Sequence, residues 1–253
     1  MPRVLVALSL ATGLATGLAC AAGPRASSAA PEDDASAGRD LPTASTGGEG
    51  PTSVRPGVND RYYEEGAAER WSEVFERDGR EVSDEREAIV AALGLRPGMR
   101  VADVGAGTGL FVAALADAVG DTGRTYAVDI APAFLERLRE RFAGDARVVV
   151  HEGTPTDAGL DASSVDLVFM SNVYHHIEYP SVYLPTLRRA LVSGGELVVV
   201  DFRRIVGVTS PSMLKHVRAD QATVRAEIEA AGFVHVEDRD WMRENYFMRF
   251  RAP

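Results

Sequence analysis

The 253-residue sequence holds a single cysteine, Cys20. That excludes an internal disulfide framework, a cysteine-based zinc site and a thiol relay. Basic residues are also few, 27 against 37 acidic ones, for a net charge of -10. They are scattered among the acids and form no stripe, so nucleic acid is not an expected partner. Aromatic residues are absent from Ala21 to Gly57, a stretch of Ala, Ser, Gly, Pro and Thr with neither helical nor strand periodicity. Such a segment reads as a flexible linker. There is no internal repeat, and the rest of the chain, at 45% hydrophobic and 25% charged overall, suffices for one globular domain with a sizeable core.

The amino terminus carries Arg3, an apolar run from Val4 to Leu18 broken only by Ser, Thr and Gly, and small residues around Cys20. This is a signal-peptide pattern, short for a membrane span of about 20 apolar residues. Gly17-Leu18-Ala19-Cys20 resembles a bacterial lipobox, although Gly17 stands where such boxes carry leucine. The resemblance implies a lipid-modified Cys20 and an exported, periplasmic or membrane-anchored lipoprotein. Ordinary cleavage at Ala19-Cys20-Ala21 is the alternative, and a start codon set too far upstream would leave the protein cytoplasmic. The expected organisation is a signal peptide over 1–20, a linker over 21–58 and one domain over 59–253, touching a membrane only through the anchor.

Within the domain, Tyr63, Trp71 and Phe75 lie at multiples of four and predict one face of a lid helix. Ser83 reads as the N-cap of a second helix that runs to Gly94. Strands are expected at 100–104, 125–128, 147–150, 165–170, 196–201, 233–238 and 246–250. Helices are expected at 110–119, 132–142, 181–191 and 222–231, with Pro185 a poor fit inside the third. The middle strands are nearly all apolar, as parallel strands covered on both faces are. The fold class is α/β, a Rossmann-like doubly wound, mostly parallel seven-stranded sheet with helices on both faces.

The chemistry concentrates at Val101 to Leu110, VADVGAGTGL, where a strand gives way to a helix. Gly105, Gly107 and Gly109 let the backbone turn sharply and touch a ligand. Asp103 precedes the first glycine by two residues, and Asp129 ends the next strand, about twenty residues on, where a ribose-binding acid sits. A dinucleotide fingerprint needs Gly or Ala three places after its second glycine, and Leu110 stands there.

These motifs resemble those of class I S-adenosylmethionine-dependent methyltransferases, closest to the small-molecule group that includes quinone-biosynthesis enzymes, over Arg96 to about Gly232. The resemblance implies S-adenosyl-L-methionine as cofactor. It would place Asp103 near the methionine amine, Gly105, Ala106 and Gly107 under the methionyl group, and Asp129 with Ile130 at the ribose. Thr154 takes the place where an aspartate often meets the adenine, with Asp157 a candidate substitute, and Asn172 follows the fourth strand beside the cofactor. The expected activity is in-line methyl transfer to a small molecule. An exported module that binds a nucleoside-like ligand without turnover is the alternative, and a nicotinamide-dependent oxidoreductase is the more distant one.

Methyl transfer from a sulfonium needs alignment and the removal of one acceptor proton. His175 and His176, in the loop after the fourth strand, are the candidate bases, since imidazole titrates near neutrality. Their plainer reading is one cap and one packing ring. Asp201 and Arg203 read as a surface ion pair, with orientation of a substrate carboxylate or phenolate the alternative, Glu227 and Glu229 as solvated charges, and His216 and Arg218 as either a cover over the pocket or a solvated face. Tyr62, Tyr63 and Trp71 are candidates for the acceptor pocket or for core packing. No metal site is expected, and oligomeric state is not legible.

Overall fold

The computed structural model of the protein describes residues 50–253. The expected signal peptide, Cys20 and most of the expected linker lie outside the described residues. The packed chain is already under way before Asn59: the Val54 N–H donates to the Glu178 carbonyl at 2.8 Å, the Ser53 hydroxyl donates to the Glu178 carboxylate at 2.8 Å, and Val58 is buried. Backbone bonding of this kind leaves no trace in a Pro/Ser/Gly composition, so the boundary set at residue 58 was too late.

In chain order, a 3-10 turn Asp60–Tyr62 leads to α1 (Ala67–Phe75), α2 (Glu81–Asp84), α3 (Arg86–Leu93), β1 (Arg100–Val104), α4 (Val112–Val119), β2 (Arg124–Asp129), α5 (Pro132–Arg141), β3 (Val148–Glu152) and β4 (Val165–Ser171). A second 3-10 turn, Tyr174–His176, precedes α6 (Pro180–Ala190), β5 (Leu191–Phe202), α7 (Pro211–His216), α8 (Gln221–Ala230), β6 (Val234–Arg239) and β7 (Asn245–Arg251). The seven strands form one sheet in the order β3-β2-β1-β4-β5-β7-β6, parallel except for β7, which runs against both neighbours.

Strand alternation explains the layers. Val101, Leu167, Phe169 and Val198 point to one face and pack with Ile89, Leu93 and Leu115 of α3 and α4. Ala102, Val168, Met170 and Val199 point to the other and pack with Leu184, Leu187 and Ile228 of α6 and α8. Period-two side chains on middle strands that are nearly all apolar put helices on both faces. Burying each Leu or Phe of these layers contributes roughly 1.5–3 kcal/mol. The strand order reverses between β1 and β4, and ligands of open α/β sheets bind beyond the carboxyl ends of the strands at that point.

Four local expectations change. Tyr63 is not on the lid helix; Gly66 at φ +69° breaks the chain there, and Tyr62 is the residue that joins Trp71 and Phe75. Ser83 is no N-cap but lies inside α2, and α3 starts separately after Glu85 without a side-chain cap. Pro185 stays inside a continuous α6, and β5 starts at Leu191. The short helix α7 was not anticipated as a separate element; Ser210 caps it by accepting from the Met213 N–H at 3.3 Å.

Candidate active site

The glycine loop follows β1 and folds back on β2. The N–H groups of Gly105 and Ala106 both donate to the Val128 carbonyl, at 2.8 and 3.0 Å, and Gly105 adopts φ +74°. A Cβ at Gly105 would collide with Val173, which closes in from the loop after β4, so glycine is required there for space as well as for conformation.

Asp129 ends β2. Its Oδ1 accepts from the N–H of Ile130 at 2.8 Å and of Ala131 at 3.0 Å, and its Oδ2 accepts from the N–H of Gly107 at 2.8 Å. Burial pushes this carboxyl upward in pKa, and the three backbone donors pull against that. An ionised carboxylate offers about four acceptor positions, so capacity remains for a ligand. Asp103 is more isolated. It is 3% exposed, and among the described residues its carboxylate accepts no hydrogen bond. Burial first, and the Asp129 charge second, push its pKa up to about 7. Two carboxylates in one dry corner attract a cation.

The loop after β4 carries the histidines. The His175 N–H and Nδ1 meet the Asp201 carboxylate at 3.0 and 2.7 Å, and both side chains are buried. Burial raises the Asp201 carboxyl, but the His175 imidazole and the N–H groups of Phe202 and His175 outweigh it and hold the group below its ordinary value. Asn59 gives its amide hydrogens to the His176 carbonyl at 3.0 Å and Glu178 at 3.4 Å, so its Oδ1 accepts from His176 Nδ1 at 3.1 Å. The other His176 nitrogen lies 3.3 Å from both the Tyr62 hydroxyl and His216 Nε2. Burial, then the neighbouring His175 and His216, push His176 well below its ordinary pKa. Burial and His175 take His216 down to about 4.

One cavity of about 440 Å³ joins the two ends, bounded by Asp103, Gly105 to Gly107 and Asp129 at one side and by the three histidines at the other. Tyr62, Trp71, Phe75 and Phe134 cover it as an aromatic group, with ring centroids 5.2 Å apart for Tyr62 and Trp71 and 5.8 Å for Tyr62 and Phe134. Ile130, Thr154 and Asn172 also line the cavity. The Thr154 hydroxyl accepts from the N–H of Asp157, whose carboxylate turns away to Arg189, so Asp157 does not replace the missing adenine acid. Asn172 sits at φ +50°, accepting from Arg80 at 3.0 Å and donating to Asn245 at 2.6 Å.

Three readings of the charges are corrected. Asp201 is buried on His175 instead of paired with Arg203, because β5 ends at Phe202 and Arg203 turns out to Asp240. Glu227 is not a free charge: it holds Arg218 and accepts from the Tyr174 hydroxyl at 2.8 Å. That pairing also takes Arg218 away from the pocket, whereas His216 lines it. The roles of Asn59, Arg80 and Phe134 were missed, and only the strand-end position of Asp201 gave a usable signal.

Comparison with known proteins agrees with this architecture. A family profile described as a methyltransferase domain matches residues 102–199. The chain is 31% identical over 183 residues to a demethylmenaquinone methyltransferase of Clavibacter sepedonicus, covering 61% of this chain and 74% of the relative. It is also 31% identical over 155 residues to the hybrid PKS-NRPS synthetase tasS of Hapsidospora irregularis; the match takes in 58% of this chain but only 4% of that much longer protein. Among solved structures, a SAM-dependent methyltransferase from Aquifex aeolicus shares the fold, with a TM-score of 0.66 at 21% identity over 74% of this chain and 98% of that one. With the glycine loop, the strand-end acids and a relative matched across three quarters of its length, the chain belongs to the class I S-adenosylmethionine-dependent methyltransferases, and its cofactor is S-adenosyl-L-methionine.

Proposed function

We propose that the protein methylates a small molecule whose apolar body rests against Tyr62, Trp71, Phe75 and Phe134 and whose accepting atom faces His175 and His176. The observation that carries this reading is the single cavity running from the buried carboxylates to the histidines, which lets cofactor and acceptor share one space. Asp103, buried and without a hydrogen-bond donor among the described residues, fits the methionyl ammonium. The loop Gly105-Ala106-Gly107 allows the close passage of the methionyl chain, and the spare acceptor positions of Asp129 suit the ribose hydroxyls. Ile130, Thr154 and Asn172 complete the cofactor wall.

When bound, the cofactor supplies an electrophilic methyl group on a sulfonium. The protein aligns the acceptor with it, excludes water beneath α1 and disposes of the acceptor proton at the histidines. Asp201 orients His175 by accepting from Nδ1, which leaves Nε2 facing the cavity. The relative from Clavibacter sepedonicus is named for demethylmenaquinone, so a lipophilic ring with an acidic hydroxyl is the first acceptor to assay. Residues 1–20, with Cys20 as the lipidated position, support export and membrane anchoring of the domain.

Calorimetry with S-adenosylmethionine, followed by transfer of a labelled methyl group to phenols, quinols, thiols and amines, tests the reading. Heat with the cofactor and label in an acceptor are expected. Heat without transfer to any acceptor supports a non-catalytic binding module instead, and heat only with a nicotinamide dinucleotide overturns the assignment.

A further inference from the structure

Three imidazoles converge at the acceptor end of the cavity. His175 and His176 stand on the turn after β4, and His216 ends α7. One ring nitrogen from each lies within 4.8 Å of the others. The Nε2 atoms of His176 and His216 are 3.3 Å apart, close to the roughly 3.3 Å that two nitrogens adopt around a tetrahedral ion at metal–nitrogen distances of about 2.0–2.1 Å.

Hydrogen bonding fixes which nitrogens are free. His175 gives its Nδ1 hydrogen to Asp201, so its Nε2 carries a lone pair. That nitrogen has no partner among the described residues, although the residue is only 4% exposed and faces the cavity. His176 gives its Nδ1 hydrogen to Asn59, because the amide nitrogen of Asn59 is committed elsewhere, so its Nε2 also carries a lone pair. Tyr62 and His216 are the neighbours of that second lone pair, each at 3.3 Å. His216 is partly exposed, and among the described residues its Nδ1 meets only the Arg61 guanidinium, at 3.5 Å.

A packing cluster of rings would satisfy itself, with one N–H donated to each lone pair. Here the His175 lone pair faces the cavity with no partner among the described residues. Neutral imidazoles whose outer nitrogen donates to a carboxylate or an amide oxygen are the arrangement that fixes metal-ligating histidines in their tautomer. Three imidazoles without thiolate or carboxylate ligands suit zinc and its neighbours in the first transition row, and they leave the ion its full charge.

We infer that His175, His176 and His216 bind one divalent transition-metal ion, with zinc the best chemical match, and that its open position receives an acidic oxygen of the methyl acceptor. Arg61 turns from His216 on binding, so that the His216 Nδ1 can carry the hydrogen. The inference rests on the small-molecule reading above and replaces its proton step, since a metal-bound imidazole nitrogen takes no proton. The ion stabilises the acceptor anion, and the hydroxyl proton leaves to water and buffer. The methyl carbon then exchanges its bond to sulfur for a bond to that oxygen, and neutral demethylated cofactor departs.

The test uses the full chain, stripped with a chelator and reloaded with zinc or cobalt alone. The expected results are about one zinc per chain by elemental analysis and a cobalt-loaded form with ligand-field absorption bands that shift when a phenol is added. His216→Ala should lower zinc affinity at least a hundredfold while calorimetry shows unchanged binding of S-adenosylmethionine. Asp201→Asn should lower zinc affinity roughly 10- to 100-fold, as loss of an outer-shell partner does. A wild-type protein that retains no stoichiometric zinc and shows no cobalt bands overturns the inference, even if the variants misfold; so does zinc retention at the wild-type level by His216→Ala and by the His175→Ala/His216→Ala pair. Full methyl transfer by metal-free protein removes the ion and leaves the methyltransferase reading standing. Stoichiometric zinc with no transfer to any acceptor does the reverse.

Discussion

Replacing Asp103 with Asn should stabilise the free protein and weaken its hold on the cofactor. Burial and the nearby Asp129 raise the Asp103 pKa from 3.8 to about 7. An acid whose folded pKa is raised costs stability as pH rises from its unfolded value to its folded one, and the cost levels off above that. At about 1.36 kcal/mol per pKa unit, the full shift corresponds to roughly 4 kcal/mol, of which about 2–3 kcal/mol accrues between pH 5 and pH 8. Asn carries no charge and removes that slope. The melting temperature of Asp103→Asn should therefore exceed that of the wild type by roughly 8–16 °C at pH 8, with a clearly smaller gap at pH 5. Cofactor affinity should move the opposite way. The ionised carboxylate attracts the ammonium, so wild-type affinity should rise roughly five- to tenfold between pH 6 and pH 7.5, while the Asn variant binds weakly and without that slope. Scanning calorimetry and isothermal titration across the two pH series measure both effects. A wild-type-to-variant stability gap that does not change with pH, or equal cofactor affinity in the two proteins, would refute the placement of a strained carboxylate in this corner.

Asp129→Ala should cost cofactor affinity by more than tenfold in calorimetry, since it removes the proposed ribose acceptor and leaves the Gly107 N–H without its partner. Gly105→Ala should destabilise the domain by about 2 kcal/mol or more, because φ +74° and the collision with Val173 act together. Adding Val173→Ala should recover the steric part only, and complete rescue in denaturant melts would show that backbone conformation does not matter there. Asp201→Asn should lower turnover on the order of a hundredfold or more with little change in cofactor affinity, and an unaltered kcat would mean that His175 needs no orienting carboxylate. Cys20→Ser should turn a detergent-partitioning protein into a soluble exported one; identical partitioning of the two would remove the lipid anchor from the reading.

The parts of the site that could be read from the sequence are those built within one strand–loop–helix unit. Gly107 and Asp129 are 22 positions apart and belong to a single β1-α4-β2 crossover, so their spacing alone brought them together. The histidine end is assembled from afar. His176 meets His216 across 40 positions, Tyr62 across 114 and Asn59 across 117, and no local pattern records those meetings. Periodicity also failed where a backbone break interrupted it: Gly66 shifted the aromatic face from Tyr63 to Tyr62.

The three aspartates show why position in a strand is informative yet incomplete. Asp103, Asp129 and Asp201 each lie at or near the carboxyl end of an apolar parallel strand, a placement that forces a carboxylate to the ligand-binding edge of the sheet. Their chemistry then diverges through the donors that the fold brings to each. Asp129 receives three backbone N–H groups from its own crossover, which pull against the upward push of burial. Asp201 receives an imidazole and two backbone N–H groups, is held below its ordinary pKa, and fixes a ring. Asp103 receives none among the described residues and is left near neutrality for a cation to claim. One residue type at one kind of position thus meets three different sets of donors, and only the contacts made across the sheet decide which carboxylate meets which.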